Sequence, residues 1–422
     1  MAQRLNSSVC AFIAILLLFV PVAADLQNTT SIPVPYTIKL FSPSPGMIHS
    51  DQVMDLVNGP DKNVLLATSF GLSTYNPDGT WSTRHMDLDN ISEGLMSDYI
   101  TAVEYGPDGK LWIGYSKGIQ IYNGIYYQTI TDQQLLKDPN IKDLQRWDDD
   151  MWVATGHAGI HRVRNGTWTW YQPGSRDGPG FYEVRSMALN PATDSLPDEL
   201  VIATVNEGLW VVPSREDPVR FEMIAGKSST FGLLMNVRRD PQGGVYFFNS
   251  TDVVHYSRER GFVPVLAGTD LAITGTSIND LAAANDGKLY LATDDGIYIW
   301  DDGAVYRHLN RFEGIGTSSF VKTINIDAEN RVWFSTGDDV GYYSDRSSPE
   351  SPLIIETATA TPSSAPAMEN LSPEGVPAPR EDTVTPNPDE SSAVEASGEG
   401  IGAIIDPVIR AIMSILSGFG IH

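Results

Sequence analysis

The sequence predicts an all-β protein, a seven-bladed β-propeller, and three observations predict it. A three-strand unit, clearest in ITAVEYGPDGKLWIGYSKGIQIY from Ile100 to Tyr122, is restated with drift seven times along the chain. The copies follow one another at intervals of 41 to 50 residues, the period of four-stranded blades. Tyr36–Phe41 alternates like a strand ahead of the first complete copy, while the seventh copy stops at Tyr343 one strand short. The N-terminal strand is therefore expected to complete the last blade and close the ring, pairing the first and last parts of the domain.

Each element of the unit has a sequence reason. The first strand opens with Val53, Ile100, Ile141, Val184, Leu234, Ile278 and Val321. Three residues on, each copy carries Leu56, Val103, Leu144, Met187, Val237, Leu281 or Ile324. In the second strand Leu65, Trp112, Trp152, Val201, Tyr246, Tyr290 and Trp333 share a position, and Trp112, Trp152 and Trp333 read as core packing rather than ligand stacking. A glycine follows as Gly71, Gly118, Gly159, Gly208 and Gly296, suited to a turn with positive φ. Asp252 and Asp339 stand near that place in the two degenerate copies, the fifth and seventh. Asn76-Pro77-Asp78-Gly79, Asn123-Gly124, Asn165-Gly166 and Asp301-Asp302-Gly303 form the hairpins between third and fourth strands.

The rest of the chain divides by composition. Residues 1–24 read as a signal peptide, with Arg4 as the charged start, Val9 to Val20 as the apolar core and Val22-Ala23-Ala24 as the cleavage site. Cys10, the only cysteine, lies inside it, so the mature chain has neither disulfides nor a thiolate metal site nor a cysteine nucleophile. Residues 25–35 are a loose leader, residues 36–345 the propeller and residues 346–400 a disordered linker. Between Pro349 and Gly400 there is no tryptophan, tyrosine or phenylalanine, and Arg380 stands alone among ten acids. Residues 401–422 predict a short amphipathic helix capped by Asp406, with Ile404, Val408, Ile412, Ile415 and Phe419 on one face. Ile404, Val408, Ile412 and Phe419 are expected to dock on a membrane surface or a partner protein.

The formal charge is −25 for the whole chain, which disfavours nucleic acid and anionic membrane and favours solubility, cations or cationic partners. Five sequons, at Asn28, Asn90, Asn165, Asn249 and Asn370, would allow N-glycosylation in a host that performs it.

The segment Pro107-Asp108-Gly109-Lys110-Leu111-Trp112-Ile113-Gly114, followed by Gly118-Ile119 and Tyr122, resembles the two-component regulator propeller repeat. Gly94-Leu95-Met96-Ser97-Asp98 resembles that family's entry to the first strand. The resemblance covers about Tyr36 to Asp345 and implies an extracytoplasmic, ligand-sensing propeller; no kinase, receiver or DNA-binding region follows it here. It also implies that the second-to-third strand turns and the inter-blade connections share the binding face.

On that face the sequence places His49, Phe70, Lys117, His157, Asn206, Glu207, Asp252, Asp294, Asp295, Asp338 and Asp339. The acids predict a site near the channel mouth where Glu207, Asp252, Asp295 and Asp339 converge on a polyhydroxylated ligand or a divalent cation, with no other cofactor implied. The competing reading makes these acids plain turn formers. Asp55, Ala102, Asp143, Ser186, Asn236, Asp280 and Thr323, the third residues of the inner strands, are short and mostly polar, which suits satisfaction of exposed strand edges at a crowded axis.

No catalytic motif stands out. His157 and His161 fall on a turn and a strand, Gly226-Lys227-Ser228 lacks a leading glycine, and GxSxG and HExxH are absent. Two functions follow: an exported, non-catalytic module binding a small molecule, glycan or protein, or a lyase or hydrolase on glycans using His157 and Glu207 as acid and base.

Overall fold

The computed structural model describes residues 36–44, 47–193, 196–267 and 276–345. They form seven antiparallel sheets of four strands each. The innermost strands are Val53–Asn58, Ala102–Tyr105, Ile141–Trp147, Val184–Asn190, Asn236–Arg239, Ile278–Ala283 and Thr323–Ile326, and each touches the next so that they ring a central axis. Blades 1 to 7 are numbered after these strands.

Tyr36–Phe41 is the outer strand of blade 7, in register with Val340–Asp345 from Tyr36 opposite Asp345 to Phe41 opposite Val340. The degenerate fifth and seventh copies build full blades like the others.

Stability comes from seven apolar layers, one between each pair of neighbouring blades. Both members of the aliphatic pair in every first strand are buried there, from Val53 and Leu56 to Val321 and Ile324. Trp112, Trp152 and Trp333 are buried in these layers as well. The layer between blades 7 and 1 takes Phe41 from the N-terminal strand, which packs on Tyr75, Trp81, Trp333 and Tyr342.

In five of the seven blades a glycine stands at the start of the third strand, and it does two jobs. At Gly71 φ is +92°, and a Cβ would come within 2.3 Å of the Arg84 carbonyl on the outer strand. At Gly208 φ is +85° and the same clash, with the Ala225 carbonyl, would be at 2.1 Å. Only glycine fits where the backbone turns left-handed and the fourth strand lies this close. The signal-peptide, leader, linker and C-terminal helix expectations, with Asn28 and Asn370, lie outside the described residues.

Candidate ligand-binding site

The turns between second and third strands hold most of the residues singled out from the sequence, and local hydrogen bonds account for their conformation. Thr68, Thr155, Thr204 and Thr293 each end a second strand, donate to the carbonyl of the following glycine and accept a turn amide. Phe70, Ala158, Glu207 and Asp295 supply those amides. Thr336 does the same for Asp338 and Asp339. In blade 5 the Asn249 side chain accepts from the amides of Thr251 and Asp252.

Individual side chains on these turns point to local roles. Asp339 is buried, with its carboxylate accepting from the Thr317 amide at 3.1 Å and from Ser42 Oγ at 3.3 Å. Asp294 accepts from Asn279. Asp295 stands beside Tyr298 and His308, whose rings stack with centroids 4.0 Å apart. His49 stacks on His85 at 4.3 Å, and exposed Phe70 tilts against that pair. Asn206, Lys117 and Asp338 are solvent-exposed. His157 is exposed too, and the carboxylate paired with it is Asp138, 3.3 Å from Nδ1, rather than Glu207.

Glu207, Asp252, Asp295 and Asp339 do not form a cation site: among the described residues no three His, Cys, Asp or Glu side chains are placed to share a metal ion. The reason is radial. These turns lie one to two strand spacings, roughly 5–10 Å, outside the inner ring. Of the sequons, Asn165 sits exposed in a hairpin at φ +49°, Asn90 accepts from Ser92 Oγ, and the Asn249 amide is engaged in its own turn.

The cavity at this end of the axis is a funnel of about 700 Å³, and none of the eleven predicted residues lines it. Its wall is a ring with one residue from each inner strand or its entry: Met54, Thr101, Lys142, Arg185, Met235, Asn279 and Lys322. In four blades that residue is the extra one of a β-bulge. Val53 pairs with Thr68 and Asp55 with Ala67, leaving Met54 unmatched, and Lys142, Arg185 and Asn279 are left over in the same way. A bulge re-aims a side chain that regular alternation would send into the inter-blade core. Leu233 (62% exposed) and Phe320 (43% exposed) add apolar surface to the same funnel.

One step down the axis lies the ring of short residues, and its job is the structural one anticipated. Asp55 accepts from its neighbour Leu56 and, across the blade boundary, from Val103 at 3.0 Å. Asp143 accepts from Leu144 and from Met187 at 2.5 Å, Ser186 from Val237, and Asp280 from Leu281 and Ile324. At these four boundaries an inner-edge amide that no strand can pair is satisfied by the blade before it.

Arg238 occupies the axis below, 2.9 Å from Asp280. Burial works against its charge, but Asp280, Asp55 and Asp143 outweigh that and hold its pKa above the ordinary value. Burial, reinforced by Asp55, pushes Asp143 up to about 7, and burial likewise pushes Glu104 up to about 7.

The funnel wall has the opposite character. Lys142, Arg185 and Lys322 make no ion pair among the described residues, and Arg185 has only a 3.4 Å contact to Asn236 Oδ1. Lys322 is half-buried with Nζ 3.0 Å from Met54 Sδ, and burial lowers its pKa. The far mouth, about 600 Å³, sets Arg146 and Arg239 against Glu104, Asp148 and Asp198.

No family model matches the sequence, and no curated protein does. Solved structures do match. The extracellular domain of a putative hybrid two-component system from B. thetaiotaomicron aligns at TM-score 0.57 and 17% identity, over 74% of this chain and 42% of that one. A second such domain from the same organism aligns at TM-score 0.56 and 18% identity, over 72% and 39%. The fold is that of these extracellular domains. The chain spans about two fifths of their length. Virginiamycin B lyase from Staphylococcus aureus aligns at TM-score 0.53 and 12% identity, over 74% of this chain and 99% of the lyase.

Proposed function

We propose that this protein is an exported, non-catalytic binding propeller whose ligand enters the funnel walled by Met54, Thr101, Lys142, Arg185, Met235, Asn279 and Lys322. The observation that carries the reading is the row of four bulges, which turns one side chain per blade away from the core and toward one cavity. A concave wall of mixed polar, charged and exposed apolar residues on a rigid scaffold is the usual form of a small-ligand site. The shared fold with extracellular parts of hybrid two-component systems supports a sensing or presenting role outside the cytoplasm. Within this reading, residues 346–400 act as a stalk and residues 401–422 as its attachment, with Ile404, Val408, Ile412 and Phe419 facing lipid or a partner.

A screen of glycans and metabolites against the full chain tests the proposal, with Thr101→Trp as a variant that fills the funnel. A hit that binds saturably, is not turned over and is lost in Thr101→Trp is the expected result. A hit that binds equally to that variant would refute it. The second reading, a lyase-type enzyme, is favoured by the alignment over nearly the whole of the lyase chain. Turnover of the hit would establish it. The residues first suggested for that role, His157 and Glu207, lie outside the funnel lining.

A further inference from the structure

We propose that the funnel selects an anionic ligand with an apolar part, such as an aryl or alkyl carboxylate. Its negative group would lie among Lys142, Arg185 and Lys322, and its apolar part on Leu233, Met235 and Phe320. The inference rests on the funnel being the binding site and adds the chemistry of what enters it.

Charge is locally inverted in the funnel wall. The chain carries 53 acidic against 28 basic residues, yet the seven-membered wall has three cations and no acid. Those cations come from blades 3, 4 and 7, so the fold assembles them; no run of sequence does.

Three of the acids nearby are already committed. Asp280 holds Arg238, while Asp55 and Asp143 each accept with one oxygen from the next residue of their own strand and with the other from a backbone amide of the following blade. Glu183 is the remaining carboxylate in the lining, one against three. Lys322 is partly desolvated with a thioether as its contact, and such an ammonium gains most from an anion brought to it.

The funnel also exposes apolar surface. Leu233 is 62% exposed, Phe320 43% and Met235 39%, all in the same cavity as the cations. A fully solvated inorganic anion would leave that surface wet, whereas an amphipathic one covers it. The far mouth lacks this combination, since its two arginines face three acids.

The test compares 2-naphthoate with 2-naphthamide, equal in shape and differing in charge, by titration calorimetry on the full chain. The expected result is saturable binding of the carboxylate at least tenfold tighter than the amide, weakened by added salt. Replacing Lys142, Arg185 and Lys322 together by Gln should abolish the preference, while Arg146→Gln with Arg239→Gln should leave it intact. Circular dichroism melts establish that each variant is folded, and the single Lys322→Gln serves if the triple variant is not.

Equal affinity for carboxylate and amide, with both blocked by Thr101→Trp, would overturn the charge selectivity and keep the funnel as the site. Binding indifferent to Thr101→Trp would overturn both. Absence of naphthoate binding at millimolar concentration overturns the anion inference.

Discussion

Trp333 is where the ring closes, and its removal gives the sharpest stability prediction. The side chain is fully buried between blades 7 and 1 and stacks on Phe41 from the N-terminal strand at 5.8 Å. It also touches Tyr75 at 5.0 Å, Tyr342 at 5.2 Å and Trp81 at 6.2 Å, and its Nε1 donates to Asp327 at 2.8 Å. Truncating a buried tryptophan costs roughly 3–5 kcal/mol in lost transfer energy and cavity. Four aromatic neighbours and a buried carboxylate left short of a donor place Trp333→Ala at the top of that range, about 5 kcal/mol.

Trp112 provides the comparison. It is 6% exposed, has Trp168 as its aromatic neighbour at 6.0 Å, and its indole N–H is buried without a partner. Trp112→Ala should therefore cost less, about 3 kcal/mol. Trp333→Phe keeps the aromatic packing and should recover most of the loss. Urea unfolding followed by far-UV circular dichroism measures all three with linear extrapolation. Equal costs at the two sites, or a loss at Trp333 below about 2 kcal/mol, would refute the idea that the closing layer is a principal source of stability.

Three further outcomes follow. Asp339→Asn should destabilise by about 1–2 kcal/mol, because that buried carboxylate holds Thr317 and Ser42, whereas exposed Asp295→Asn should lie within about 0.5 kcal/mol of the parent, both read by urea unfolding. Asp143 is raised to about 7 in the fold, so its favourable contribution is complete below the unfolded carboxyl pKa and is lost as pH rises through about 7. His161, pushed down to about 4 by burial, contributes above its unfolded value of 6.5 and loses that as pH falls through about 4. Comparing urea unfolding at the two ends of this window, the penalty of Asp143→Asn should be larger at acid pH and that of His161→Phe larger near neutrality. Truncation after Gly400 should leave the thermal melt and ligand binding unchanged and shift the protein from the cell-surface or assembly fraction to the medium, as measured by fractionation.

The blades were legible because repetition multiplies a weak signal. A single apolar run bounded by Pro-Asp-Gly says little, but seven aligned copies identify strands, turns and the orphan strand Tyr36–Phe41. The funnel was not legible in the same way, since its residues share a position and no chemistry: Met54, Thr101 and Lys142 have nothing in common except their place.

The signal that would have found them is the spacing of the aliphatic pair. Val53 and Leu56, and their six counterparts, are three apart, and both members face the core. A regular strand puts residues three apart on opposite faces, so this spacing demands a bulge or bend between them. The two intervening residues then turn toward the axis. The acidic turns stand out by composition instead, and their neighbours Thr68, Thr155, Thr204, Thr293 and Thr336 show why acids and small residues stand there: each turn is a capped hydrogen-bonded unit.

Methionine methyl resonances report on the funnel itself, because its wall contains Met54 and Met235. With ¹³C-methyl methionine in the full chain, a ligand from the screen should shift Met54 and Met235, which line the funnel, and leave Met151 and Met187 in the inter-blade layers and Met223 on an outer strand unmoved. Shifts confined to methionines away from the funnel, with Met54 and Met235 unchanged at saturation, would contradict the assignment of the site.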